Sequence, residues 1–238
     1  MSSEERITFN KDNLETYLKA LAKEYRKLGG KALPAEIILI GGASVLINYG
    51  FRDMTTDIDA IVQAASTMKE AVNHVGDEYG LPNGWLNDDF KKTASYTPRL
   101  AQYSVYYKKY YGVLTVRTVS AEYLIAMKLM AGRQYKNDLS DIIGILAEHE
   151  KAGETITIEM VHTAVERLYD SWNRIPVQSQ QFIEDVMSNK NYDDMMTRVK
   201  NEEKSTKDTL IEFEEQYPGR ANEANIDDII KHLKERKK

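Results

Sequence analysis

Residues 36–63 read EIILIGGASVLINYGFRDMTTDIDAIVQ. The stretch opens with a continuous apolar run, Ile37-Ile38-Leu39-Ile40, which stops at Gly41-Gly42. A short β-branched run without polar alternation is the pattern of a strand buried on both faces. After the glycines, Ala43 to Tyr49 reads as a short helix with Ser44 in its first turn, and Gly50 ends it. Phe51 to Thr56 is a polar turn. From Asp57 to Val62 the pattern alternates, with Ile58, Ala60 and Val62 against Asp57, Asp59 and Ile61. A strand here presents both carboxylates on one face.

Two pieces of chemistry suit this stretch. Magnesium takes hard oxygen ligands, commonly one or two protein carboxylates together with phosphate oxygens, and Asp57 and Asp59 offer such a pair. Ions held there can bridge a nucleoside triphosphate and activate an attacking hydroxyl. Gly41-Gly42-Ala43-Ser44 lets helix N-terminal amides and a hydroxyl approach phosphate oxygens. Each half also has a plain structural reading. D-x-D fits a solvated strand face, and Gly-Gly fits a strand-to-helix turn that needs positive φ. The segment is not a P-loop, because no Gly-Lys-Ser/Thr follows the glycines.

Upstream, Asn10 to Gly29 reads as a helix, with Leu14, Leu18, Leu21, Ala22 and Tyr25 near 3.6-residue spacing. Downstream, Ser66 to Tyr79 reads as a helix with Ser66 as its cap. Gly80 to Pro98 carries Gly, Pro and Asn breakers and reads as a loop. Tyr103 to Lys108 and Val113 to Val119 read as a hairpin around Tyr110-Tyr111-Gly112. The aromatics and lysines at 103–111 suit either hairpin packing or stacking on bases. Ser120 caps a helix over Ala121 to Ala131, and Asp138 to Glu150 forms the next. Beyond Gly153 the pattern is helical throughout, with breaks at Pro176, Asn189 to Asn191, and Pro218-Gly219. The charged helices after residue 190 mix signs and read as a solvated face or a coiled partner surface. The change from mixed α/β to all-helix places a boundary near residue 151, giving a core over 1–150 and a helical domain over 151–238.

Composition bounds the function. The chain has 238 residues and a formal net charge of -5, which argues against a generally basic nucleic-acid coat. It has no cysteine, so thiolate metal sites, disulfides and Cys nucleophiles are excluded. Four histidines make a His-rich metal site a poor fit. The polar start, MSSEERITFNKDN, has no hydrophobic signal core, and no apolar run reaches the roughly 18–20 residues of a membrane span. A cytoplasmic protein that does not engage a membrane is the expectation.

A strand, Gly-Gly, a Ser-bearing helix, a turn with Arg52, then Thr56-Asp57-Ile58-Asp59 on the next strand is an order that resembles the nucleotidyltransferase superfamily. Residues 121–146, AEYLIAMKLMAGRQYKNDLSDIIGIL, add to the likeness. Lys128 on an apolar helix, Arg133 about one turn later, then Asp138 and Asp141 resemble small bacterial nucleotidyltransferases related to abortive-infection and toxin–antitoxin toxins. The resemblance covers roughly residues 36–150.

It implies an α/β (α+β) fold, a mixed sheet with flanking helices followed by the helical domain. It implies a metal-dependent enzyme that moves a nucleoside monophosphate from an NTP to a hydroxyl of RNA (tRNA included), protein or a small molecule. Mg²⁺ or Mn²⁺ is the implied cofactor, with Asp57 and Asp59 as ligands. Gly41, Gly42, Ser44, Arg52 and Thr56 would line the nucleotide, and Lys128 and Arg133 would neutralise its charge. Asp138 and Asp141 would orient those cations or help with the metal. An antitoxin is the implied partner.

The sequence departs from the family pattern twice. Asn137 separates Lys136 from Asp138, where a basic residue is usual. The strand matching the superfamily's third carboxylate, Leu114 to Val119, has Arg117 and no acid. Asp88, Asp89, Asp138 and Asp141 are the acids left to complete the set. The alternative is a catalytically weakened or inactive module that binds a nucleotide or a protein.

Overall fold

The computed structural model describes residues 7–222 and 225–236. The contacts gather the chain into two compact units. The first comprises Met1–Met127 with Glu159–Arg174, and the second Lys128–Ile158 with Ile175–Lys238. The change in composition near residue 151 falls inside the helix Asp138–Ala152 of the second unit.

The first unit is built on a mixed five-stranded sheet. Its strands are β1 (Ala35–Leu39), β2 (Ile58–Gln63), β3 (Leu86–Asn87), β4 (Ser104–Tyr110) and β5 (Leu114–Val119), in the order β3-β2-β1-β5-β4. β1 is central, antiparallel to β2 and parallel to β5. That position explains its unbroken apolar sequence, since both of its faces are covered: Ile37, Ile38 and Leu39 are fully buried.

One sheet face carries Ile37, Leu39, Ile58, Ala60, Leu114 and Val116 into the main core. Helices α1 (Lys11–Tyr25) and α3 (Thr67–Tyr79) supply the other side of that core through Leu14, Leu18, Leu21, Met68, Ala71 and Val75. α1 begins with a reciprocal cap. Asn10 Oδ1 accepts from the Asn13 N–H, and Asn13 Oδ1 accepts from the Asn10 N–H, each at 2.9 Å. Ser66 precedes α3 in a helical conformation and makes no side-chain cap bond, contrary to the expectation from its residue type.

The hairpin is β4–β5, and its turn places Tyr111 at φ 47° and Gly112 at φ 73°. Two successive left-handed residues match the twist of the flanking strands. Within the aromatic stretch, Tyr103 stacks on Tyr123 and Tyr107 donates to Glu15 Oε1 at 2.6 Å, so most of these rings pack. The 80–98 segment, read as a loop, holds β3, which pairs in parallel with Ile58 and Asp59 of β2. Trp85 secures that segment. Its ring is buried among Phe9 and Tyr17, and Nε1 donates to the Val72 carbonyl at 3.0 Å. Two paired residues are too short a run for periodicity to register.

α2 (Gly41–Asn48) links β1 to the turn before β2. Helix α4 (Ala121–Ala131) follows β5, and the division between the units falls within it, after Met127. α6 (Ile158–Tyr169) belongs almost wholly to the first unit. The second unit contains α5 (Asp138–Ala152), α7 (Val177–Asn189), α8 (Tyr192–Gln216) and α9 (Ile226–Arg236). Its core includes Ile142, Ile143, Ile145 and Leu146 of α5 and a stripe on α8 formed by Met195, Val199, Glu203 and Thr206. A carboxylate on that stripe is a departure from the solvated face expected of the late helices. Among the described residues no helix is long and apolar enough to cross a membrane.

Candidate active site

The residues predicted for the site fall into two groups, one in each unit. The first group surrounds the start of α2. Gly41 has φ +54°, with nothing near the position of a Cβ, so its need for glycine is conformational. Gly42 is glycine for space. A Cβ there would lie 2.7 Å from Thr55 Oγ1 and 2.9 Å from Arg52 Nη2. The Arg52 guanidinium is therefore laid against the first turn of α2, and its Nε donates to the Met54 carbonyl at 3.0 Å. Thr55, buried and outside the predicted set, donates to Asp57 Oδ1 at 3.1 Å and is bridged through its backbone to Phe9.

Asp57 stands exposed just before β2, and Asp59 is half-buried within it. Alternation with the buried Ile58 and Ala60 puts both on the sheet face opposite the main core. Thr56 is exposed between these features. Ser44 is fully buried, and its Oγ accepts from the Val119 N–H at 3.3 Å, which ties α2 to the end of β5. That bond turns its oxygen to the sheet.

The pairing register locates where a third acid would stand. Leu39 lies opposite Ala60 on one side and Thr118 on the other. The next row therefore runs from Asp59 through Ile40 to Val119, and the Ile40 N–H donates to the Asp59 carbonyl at 2.9 Å. Val119 is buried and apolar. Arg117, on the same face, is turned to the hairpin, donating through Nε to Ser104 Oγ at 2.8 Å and through Nη2 to the Ser104 carbonyl at 2.7 Å. Asp88 and Asp89 follow β3 and pair with Lys91 and Lys92 at 2.7 and 2.6 Å. The Lys91 hydrogen bond holds the Asp88 carboxyl below its ordinary value. Among the described residues no three acidic or imidazole side chains gather as a metal-binding group.

Asp57 and Asp59 thus offer hard oxygen donors from two carboxylates in an accessible position. That fits a divalent ion completed by phosphate oxygens and water, and does not amount to an all-protein cage.

The second group lies wholly in the second unit. Lys128 is buried, with Nζ 2.7 Å from Asp141 Oδ2 and 3.2 Å from Asp138 Oδ1. Arg133 grips the same Asp138, Nε to Oδ2 at 2.8 Å and Nη2 to Oδ1 at 3.3 Å. Two cations and two carboxylates balance, which is what permits a lysine and two aspartates to be buried together. Burial by itself raises the Asp138 pKa. The Lys128 and Arg133 charges and the hydrogen bonds from both outweigh it and hold that carboxyl at about 2.

Both aspartates come from the first turn of α5, at i and i+3, where negative charge also suits the helix dipole. Glu203 braces that turn from α8, with Oε1 accepting from the Leu139 and Ser140 N–H groups at 3.1 Å each. Burial is the main cause that pushes the Glu203 carboxyl up, to about 7, and Asp141 adds to it. Sequence reasoning missed Glu203. The available signal was its phase, since Met195, Val199 and Glu203 recur at four-residue spacing on the buried side of α8.

The model of a family described as a nucleotidyltransferase of unknown function (DUF6036) matches the chain over residues 16–215. The chain belongs to this family. No curated protein and no solved structure matches it. The family match runs past the residues that carry the sequence resemblance, taking in the C-terminal two-thirds of α1 on one side and nearly all of α8 on the other. Both residue groups, and Glu203, fall inside this nucleotidyltransferase family's span.

Proposed function

We propose that the protein is a metal-dependent nucleotidyltransferase that moves a nucleoside monophosphate from an NTP to a hydroxyl of RNA, protein or a small molecule. Family membership supports the general activity. The observation that carries the site is Gly42, whose missing Cβ lets the Arg52 guanidinium and the Thr55 hydroxyl close on the first turn of α2. A cation and helix N-terminal amides then lie together, as binding a phosphate requires.

Asp57 and Asp59 would hold Mg²⁺ or Mn²⁺, which supplies charge neutralisation of the phosphates and activation of the attacking hydroxyl. Thr55 orients the Asp57 carboxylate through its hydroxyl. In the transfer, the acceptor oxygen bonds to the α-phosphorus while the bond from that phosphorus to the α,β-bridging oxygen breaks. Pyrophosphate leaves, and the proton of the acceptor hydroxyl passes to solvent water. Gly41, Gly42, Arg52 and Thr56 act in this reading as the nucleotide's binding residues, and Ser44 fixes α2 to the sheet. The family resemblance gives Lys128 and Arg133 the neutralisation of triphosphate charge, with Asp138 and Asp141 orienting them; within the second unit those two carboxylates balance both cations.

The likeness to toxin-related nucleotidyltransferases supports a cytoplasmic toxin with tRNA or another RNA, or a protein, as acceptor and an antitoxin as partner. Isothermal titration with Mg²⁺ and each of the four NTPs tests the nucleotide site. Binding by the wild type and its loss in Asp57→Ala are expected, and absence of binding in both overturns the proposal.

A second reading rests on the row Asp59–Ile40–Val119, which has no third acid. In it the protein binds a nucleotide or a partner without turnover. Label transfer from NTP to cellular RNA or protein that disappears in Asp59→Asn excludes this reading.

A further inference from the structure

Glu203 is one of few carboxylates placed on a buried helix stripe, and no step above uses it. Its position is specific. One oxygen, Oε1, accepts from two consecutive backbone amides, Leu139 and Ser140, at the first turn of α5. The two aspartates flank these amides in sequence: Asp138 immediately precedes Leu139, and Asp141 immediately follows Ser140. The same two aspartates hold Lys128 at 3.2 and 2.7 Å. The acceptor capping the start of α5 is supplied by another helix, since Asn137 at the cap position makes no side-chain cap bond.

We infer that Glu203 is a positioning residue for the Lys128–Arg133 cluster: by anchoring the first turn of α5 from α8 it sets where Asp138 and Asp141 hold the two cations. The groups facing it are the Ser140 hydroxyl and backbone, the Leu139 amide and the Asp141 carboxylate. A third carboxylate beside a balanced ion cluster costs solvation, and the fold offsets that cost with two amide donors and the positive end of α5. A leucine at the same position would fill the seam but leave the Leu139 and Ser140 amides without this acceptor, whereas a glutamine keeps it, so the Lys128 resonance and not stability is the readout that separates positioning from capping.

The inference rests on the proposed role of Lys128 in nucleotide binding, and its test separates the two. The full-length protein is labelled with ¹⁵N-lysine, and the ammonium resonance of Lys128, assigned with Lys128→Arg, is followed in Glu203→Leu and Glu203→Gln. Mg²⁺–NTP affinity is measured in parallel. Glu203→Gln keeps an acceptor oxygen and is expected to retain the Lys128 resonance and the affinity. Glu203→Leu is expected to shift or broaden that resonance and to weaken nucleotide binding about tenfold, the scale of a lost buried acceptor.

If Glu203→Leu does not fold, Glu203→Asp carries the same test, because it keeps the charge and withdraws it by one methylene. A Lys128 resonance unchanged in the folded leucine or aspartate variant overturns the inference. A resonance that moves while nucleotide affinity stays at the wild-type value places Glu203 over Lys128 but overturns its link to binding. Absence of nucleotide binding in the wild type contradicts the proposed function and leaves the resonance as a separate measure of the positioning.

Discussion

Gly41 and Gly42 are adjacent, and their substitution by alanine tests different physics. At Gly41 a Cβ meets no atom, but φ is +54°, so Gly41→Ala is expected to lose roughly 1–2 kcal/mol of stability. At Gly42 the Cβ meets Thr55 Oγ1 and Arg52 Nη2. Gly42→Ala is expected to displace Arg52 and cost about 1–3 kcal/mol by overpacking. Thermal melting measures the two losses. Mg²⁺–NTP titration reads, in the Gly42 variant, the added effect of the displaced guanidinium. Lys128 makes a third residue-level prediction. Lys128→Met leaves Asp138 and Asp141 buried with one cation fewer, and a loss of about 3–5 kcal/mol is expected in denaturant unfolding. A loss under about 1 kcal/mol would mean that the cluster is hydrated and loosely held.

At the scale of elements, the junction of α5 and α8 makes stability depend on pH in two opposite ways. Asp138 is held at about 2 against an ordinary 3.8, so its contribution is complete above 3.8 and is lost as pH falls through about 2. Glu203 is pushed from 4.5 to about 7. The folded state binds its proton more tightly there, so stability falls as pH rises from 4.5 to about 7, by on the order of 3 kcal/mol. Glu203→Gln removes this second slope. Chemical denaturation of both proteins between pH 4 and 8 is expected to show the wild type losing ground to the variant as pH rises, and parallel curves would contradict the assignment.

These elements also mark what the sequence makes legible. β1 and the β4–β5 hairpin are readable because an unbroken β-branched run and a Tyr-Gly turn are local signals. β3 is not, because two residues acquire strand geometry only from their neighbour β2. Lys128, Arg133, Asp138 and Asp141 are readable as a set from motif order, and the structure brings the four together as one ion cluster. Glu203 and Thr55 are silent, because their meaning depends on which distant backbone or carboxylate they reach.

The chain as a whole carries a sheet unit bearing Asp57 and Asp59 and a helical unit bearing Lys128 and its partners, both within the span of one nucleotidyltransferase family. If the toxin reading holds, unrestrained expression in the native host arrests growth and Asp59→Asn relieves it, whereas viable expression of the wild type counts against toxicity. The central claim is the transfer itself. Incubating the protein with Mg²⁺, α-phosphate-labelled NTPs and total cellular RNA and protein measures it directly. Covalent label in the macromolecular fraction is expected with the wild type and not with Asp59→Asn. No label from any of the NTPs, with Mg²⁺ or with Mn²⁺, would contradict the account.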